Sequence, residues 1–198
     1  MAIVVEHDKR KHEILQKSLD VFIDEGYEDA TFQKIADRCG ITRTTLYIYF
    51  KNKHEIFLGS IKELLSELEQ SLIKIIKNKD KNSEETLKEI LMAITDAIEN
   101  NKKLFNVLLN YLMQLKKSGA DTNERVRRRV VKLRHVLSTV LIQGIQNKEF
   151  SDINVKDTNE LLYSLLEASI FRIAVLNQDD ISEIRSALNS AVDSIKAH

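Results

Sequence analysis

Residues 31–53 read TFQKIADRCGITRTTLYIYFKNK, and this stretch decides the fold. Thr31 is placed to cap a short helix, FQKIADRC, whose Ile35 and Ala36 face inward. Gly40 suits the left-handed turn that ends it, and Thr42 is placed to cap a second helix, RTTLYIYF. Two short helices joined around a glycine form a helix-turn-helix, whose second helix is free to enter a DNA major groove. At about 100° per residue, Leu46 and Phe50 fall on the inner side of that helix and Arg43, Thr44 and Tyr47 on the outer. Ile48 also leans outward, where a core residue would not.

Upstream, Ile14, Leu15, Leu19, Phe22 and Ile23 recur at helical spacing and Gly26 supplies a stop, which predicts a helix from about Lys9 to Glu25. Downstream, Asn52 and Glu55 fit a capping box that opens a long helix, with Ile56, Phe57, Ile61, Leu64, Leu65, Leu68 and Leu72 as its apolar stripe. The remainder reads as a helical bundle over about 83–99, 102–117, 124–147, 155–177 and 181–196, with polar connectors such as KNKDKNS and KSGADTN. No internal repeat or low-complexity tail interrupts it.

Composition agrees. The 198 residues include no proline and five glycines, with 30% charged and 43% hydrophobic residues, which fits long helices and almost no strand. Cys39 is the single cysteine, so an intrachain disulfide and a zinc cluster of several cysteines are both excluded; it is expected to be buried filler in a reducing cytoplasm. The opening MAIVVEHDKRKH holds too short an apolar run for a signal peptide or a membrane span, and a cytoplasmic location is expected. Thirty basic residues balance thirty acidic ones. In the first 55 residues Lys9, Arg10, Lys11, Lys17, Lys34, Arg38, Arg43, Lys51 and Lys53 face ten acids, so bulk charge does not point to nucleic acid and placement must.

Placement is informative at the helix starts. Acids are favoured in a helix's first turn unless another anion will sit there. Ser83 is followed by Glu84 and Glu85, Asp157 and Glu160 stand in capping-box spacing, and Asp179 with Asp180 precede the last helix. The two short helices instead open with Phe32, Gln33, Lys34 and with Arg43, Thr44, Thr45, and the next begins at Lys53. Three such starts within 25 residues are expected to leave backbone amides for DNA phosphates. Alternatively, they are surface helices that tolerate an unfavourable charge.

With these residues in view, GYEDATFQKIADRCGITRTTLYIYFKNKHEIF resembles the DNA-binding segment of the TetR family of transcriptional regulators. The likeness lies in a glycine and aromatic ending the first helix, a Thr cap, an I-A pair, a G-[VI]-[ST] turn and L-Y-x-[YH]-F-x-x-K. It implies an all-α protein, with a three-helix helix-turn-helix domain over 1–54 and a helical effector-binding and dimerisation domain over 55–198. It further implies a homodimeric regulator, usually a repressor, that a small molecule releases from a palindromic operator. By position, the resemblance puts Thr31 and Gln33 against the DNA backbone at the start of the second helix. It gives phosphates to Thr42, Tyr47 and Lys53, brings Arg43, Thr44 and Thr45 to base edges, and places Tyr49 at the margin. Cys39 stands where alanine is common, and Arg43 with Thr44 is bulkier than the Lys-Gly often found. The basic run Lys9, Arg10, Lys11 either reaches DNA or is a solvated helix start.

In the C-terminal part, LLYSLLEASIFRIAVL is apolar nearly all round and the last helix carries its own stripe. A dimer interface is expected at Leu165, Ala168, Ser169, Ile173, Ile184, Leu188, Ala191 and Val192. The equally apolar LFNVLLNYLMQL makes Phe105, Asn110, Tyr111, Met113 and Gln114, with Met92, His135 and Tyr163, candidates to line an effector pocket or simply core. Few aromatics argue against a cation cage and for an elongated apolar ligand. In ERVRRRVVKLRH, Arg125, Arg128, Arg129 and Lys132 share a face that is either solvated or meets an anion.

Five scattered histidines, no H-E-x-x-H, no phosphate loop and no nucleophile elbow give no basis for an enzyme, and no cofactor or metal is expected. The remaining rival is a helical adaptor that binds protein, which would lack the steep salt dependence of DNA binding.

Overall fold

A computed structural model describes residues 2–117 and 123–197, with side chains described over 6–117 and 131–197. The described chain is all-helical: α1 (Ala2–Asp29), α2 (Phe32–Cys39), α3 (Arg43–Tyr49), α4 (Lys53–Lys77), α5 (Ser83–Asn100), α6 (Lys102–Lys117), α7 (Asn123–Gln146), α8 (Val155–Ala174) and α9 (Ser182–Asp193). Its extended pairing is limited to an isolated bridge between Phe150 and Lys196. Two compact units divide it, Met1–Glu69 and Gln70–His198.

In the first unit, the periodic apolar residues of α1 pack on α2, α3 and the start of α4. Ile14, Leu15, Phe22, Ile35, Ala36, Leu46, Phe50, Ile56 and Phe57 are all buried. Phe57 meets Phe22 edge-on at 4.9 Å and Tyr27 at 4.9 Å. Each fully buried phenylalanine contributes about 1.5–3 kcal/mol over the exposed state. The buried hydroxyls are satisfied, Ser18 donating to the Ile14 carbonyl at 2.6 Å and Ser60 to that of Leu15 at 2.7 Å. α1 breaks its helical geometry at Gly26 (φ 81, ψ 168). Cys39 is buried, as expected, and burial pushes its thiol pKa up, which keeps it neutral and inert.

In the second unit α5 packs against α7, α8 and α9, and α8 also against α6, α7 and α9. Its core is built from Leu87, Ile90, Leu91, Leu137, Leu141, Leu162, Leu166, Ile184 and Leu188. Asn82 and Glu85 form a reciprocal capping box at the start of α5. α8 is capped by Asn154, which accepts from the amides of Lys156 and Asp157, so Asp157 and Glu160 do not pair in box fashion. Asp157 instead receives the Asn154 amide at 2.7 Å.

Two helices end earlier than periodicity predicts. α8 stops at Ala174, with Asn177 at φ 52, and the chain then turns to bury Ile181 completely. α9 stops at Asp193, because Ile195 is drawn into the core and its carbonyl accepts from the Ser151 amide at 2.9 Å. That connector depends on Gly144, where an added Cβ would lie 2.2 Å from the buried Phe150 ring. Arg185 ties α9 to α5 through Asp96 at 2.7 Å and Glu99.

Candidate nucleic-acid interface

The helix-turn-helix forms as its residue types require. Thr31 accepts from the Lys34 amide at 3.2 Å and Thr42 from the Thr45 amide at 3.1 Å, so each hydroxyl satisfies an orphan donor of its own helix. Gly40 closes α2 in the left-handed conformation, φ 67, which an L side chain adopts only at a cost. The next amide, of Ile41, reaches back to the Ala36 carbonyl at 3.0 Å. Leu46 and Phe50 anchor α3 from beneath, while Arg43, Thr44, Tyr47 and Ile48 are exposed on its outer side.

This outer face is partly organised by its own contacts. The Arg43 guanidinium donates to the Tyr47 hydroxyl at 3.1 Å and lies 5.6 Å from the ring centroid. Tyr47 stacks on Phe32 at 4.6 Å, so Phe32, the first residue of α2, orients a candidate contact on α3. Phe32 was not among the candidates, although its position at a helix start beside an aromatic helix could have marked it. Tyr49 is half-buried and stacks on His7 at 4.7 Å. Thr45 is half-buried and shares a 2.8 Å hydrogen bond with the Thr42 hydroxyl. Gln33 is exposed and donates to Asp37 at 2.7 Å.

Lys53 has a different setting from the one the motif implies. Its ammonium donates to the carbonyls of Tyr27 at 2.6 Å and Glu28 at 2.8 Å and lies 4.6 Å from the Tyr27 ring centroid. It therefore caps the end of α1 and retains one of three N–H donors for anything outside. The cations of α2 are also committed, Lys34 to Glu25 at 2.6 Å and Arg38 to Asp24 at 2.9 Å. Such exposed pairs add little stability, but they offset charge on this surface. Lys9 and Lys51 are exposed, and no carboxylate pairs with either ammonium among the described residues, although the Lys51 amide donates to Glu55 at 2.8 Å.

The contrast in helix starts is weaker than the sequence implies. α2 and α3 have no acid in their first turns and α4 has Glu55, but α6 in the second unit also has none. Lys102 there pairs with Asp179 at 2.6 Å, so a helix opening without an acid is not peculiar to the helix-turn-helix.

Among the effector candidates, Tyr111 and Tyr163 are buried and Met92 and Phe105 half-buried, whereas Asn110, Met113, Gln114 and His135 are exposed. They are thus divided between core and surface. The Met92 sulfur receives the Arg185 guanidinium at 3.7 Å. Arg134 pairs with Glu160 and lies 4.3 Å from the Tyr163 ring centroid; burial first, then the charge of Glu167, pushes the Tyr163 pKa up to about 12. The side chains of Arg125, Arg128 and Arg129 lie outside the described residues. Two clefts, of about 300 and about 460 Å³, open in the first unit, the former lined by residues of α1 and α4 including Gln16, Asp20, Ser60 and Glu67.

Of the residues expected at a dimer interface, Ser169, Ile173, Ile184, Leu188 and Val192 are buried within the single chain, and Leu165, Ala168 and Ala191 are half-buried. The helical periodicity that marked the first group marked the chain's own core. α8 and its C-cap Val175 nonetheless present a second apolar stripe, with Leu161 53%, Phe171 53% and Val175 48% exposed, continuous with Leu165 and Ala168.

The profile of bacterial regulatory proteins of the tetR family matches residues 14–59. The fatty acid metabolism regulator protein of Bacillus subtilis is 21% identical over 159 residues, covering 80% of each chain. A TetR transcription regulator from Haloarcula marismortui superposes with a TM-score of 0.84 at 21% identity, over 96% of this chain and 99% of the other. The regulator FadR from Bacillus subtilis, solved in complex with stearoyl-CoA, gives a TM-score of 0.66 at 19% identity, over 92% and 95%. No helix among the described residues is long and apolar enough to cross a membrane. Residues 14–59 thus carry the DNA-binding domain of the TetR family, the whole fold is that of TetR regulators, and the chain is a DNA-binding transcriptional regulator, not an enzyme.

Proposed function

We propose that the chain acts in the cytoplasm as a homodimeric repressor on a palindromic operator, from which a small molecule releases it. Residues 1–54 read DNA and residues 55–198 pair with a second copy and hold the effector. The observation that carries this reading is the outer face of α3, where Arg43, Thr44, Tyr47 and Ile48 stand in water above the buried anchors Leu46 and Phe50. In this scheme Thr31, Gln33, Thr42 and Tyr47 meet phosphates, Arg43, Thr44 and Thr45 approach base edges, and Tyr49 lies at the margin. Lys53 adds its remaining N–H to the phosphate contacts.

The exposed α8 stripe supports the dimer, since an unpaired apolar row of this kind is stabilised by a two-fold mate. Two recognition helices then address half-sites about 34 Å apart. A long-chain acyl thioester is the proposed effector. The grounds are a relative named for fatty acid metabolism, a fold neighbour solved with stearoyl-CoA, and an apolar α6 without an aromatic cage. Release is a population shift: the effector binds more tightly to dimers whose α3 helices no longer match both half-sites.

Selection from random duplex DNA at fixed, near-physiological salt tests the scheme. An enriched inverted repeat supports the dimeric regulator, and stearoyl-CoA is then expected to weaken binding by roughly 5- to 150-fold. No enrichment by folded, dimeric protein would favour the helical adaptor. A repeat that no acyl thioester releases would remove the effector assignment alone.

A further inference from the structure

We infer that Ile48, with Thr44, reads a thymine methyl group in the major groove; this rests on the operator-binding reading above. Ile48 is 70% exposed, the most exposed large apolar side chain among the described residues. It lies in the middle of the face that the helix-turn-helix presents.

Four side chains face outward from α3, and two are engaged with each other. Arg43 donates an Nη2 hydrogen to the Tyr47 hydroxyl at 3.1 Å, and Tyr47 is held flat against Phe32 at 4.6 Å. That bond takes one of the five N–H donors of Arg43 and sets the direction of its guanidinium. Thr44 and Ile48 are one turn apart on the same side, and among the described residues no hydrogen bond or ring contact engages either side chain. Together they offer a small apolar surface of branched methyl groups to whatever docks there.

Packing within the chain does not call for isoleucine at this position. An exposed β-branched residue is a poorer helix former than alanine, lysine or glutamate. In the major groove the apolar feature on a base edge is the thymine C5-methyl, and contact with an aliphatic side chain removes both from water. A G·C pair at the same place shows only donors and acceptors, which an isoleucine would leave without partners. The chemistry therefore selects thymine and disfavours guanine and cytosine.

The test uses the full-length protein and the inverted repeat it enriches. Each thymine is replaced in turn by deoxyuridine, which removes the methyl and leaves base pairing unchanged. At one thymine in each half-site, wild type is expected to lose about fourfold in affinity per methyl, equivalent to ~0.8 kcal/mol. Ile48→Ala is expected to reduce the ratio of affinities for the thymine and uracil duplexes most, and Thr44→Ser, which keeps the hydroxyl, to reduce it less. Because Ile48 stands mostly in water, Ile48→Ala should match wild type in melting temperature. Indifference of wild type to every thymine-to-uracil change would overturn the inference while leaving the operator intact, as would an unchanged ratio in Ile48→Ala. Failure to enrich any sequence would overturn both the operator reading and this one.

Discussion

α3 and α8 both hold apolar side chains in water, but in different company. On α3, Ile48 stands among Arg43, Thr44 and Tyr47; on α8, Leu161, Phe171 and Val175 follow one another along a stripe with Leu165 and Ala168 between them. An isolated methyl surface within a polar, hydrogen-bonding face suits a wet partner that mixes phosphate, base edge and methyl. A continuous apolar row suits a dry partner of the same kind. Exposure alone does not separate these surfaces, because Tyr47 at 49% and Val175 at 48% are exposed alike; the neighbours do.

The largest effect should come from charging the dry surface. Leu161→Glu with Phe171→Glu is expected to dissociate the proposed dimer in sedimentation experiments and weaken operator binding on the order of 100-fold, through loss of the second half-site contact. An undiminished dimer would move the interface off α8.

Lys53→Ala comes next. Losing two charge-assisted hydrogen bonds to the end of α1 should cost about 2 kcal/mol in denaturant unfolding. Its DNA phenotype separates two roles: a phosphate contact lowers the slope of log affinity against log salt by about one, whereas a purely internal cap leaves the slope unchanged.

A smaller, sequence-dependent change is expected for Arg43→Ala, which should relax preference at one base pair by about 1–3 kcal/mol if the guanidinium leaves Tyr47 to meet a base. An unchanged preferred sequence would leave base reading to Thr44 and Ile48. The least effect is expected from Tyr47→Phe, which loses one hydroxyl. Binding to all sequences should weaken equally by roughly 0.5–1.5 kcal/mol.

Much of the first unit is legible in its sequence, because its determinants are local. The Thr31 and Thr42 caps, the left-handed Gly40 and the inward Ile35, Ala36, Leu46 and Phe50 each act within one turn of their own position. Lys53 was legible only as a cation after an aromatic helix. Its commitment to the Tyr27 and Glu28 carbonyls spans 26 and 25 positions of chain, and spacing carries no trace of that. Likewise the acids that engage Lys34 and Arg38 sit on α1, remote in sequence.

The second unit was legible as helices but not as surfaces. Periodicity shows that a helix has an apolar face, but not whether that face meets its own chain or another copy. Ile184, Leu188 and Val192 are core for this reason, and α8, apolar on more than one side, has one face buried and another in water. The ends of α8 and α9 depart from their apolar periods for a related cause. Ile181 and Ile195 stop their helices because burial against remote elements outweighs one more turn of backbone hydrogen bonds.

The amino-acid sequence by itself determined an all-helical chain, its helix-turn-helix and that segment's likeness to the TetR family, since caps, turn glycines and apolar periods act over a few residues. Tertiary structure alone decided which cations are already spent, which apolar stripe is left in water and which side chains of α3 are free to meet a base. Those outcomes depend on partners brought together from distant parts of the chain, and contact over such distances is a property of the folded molecule.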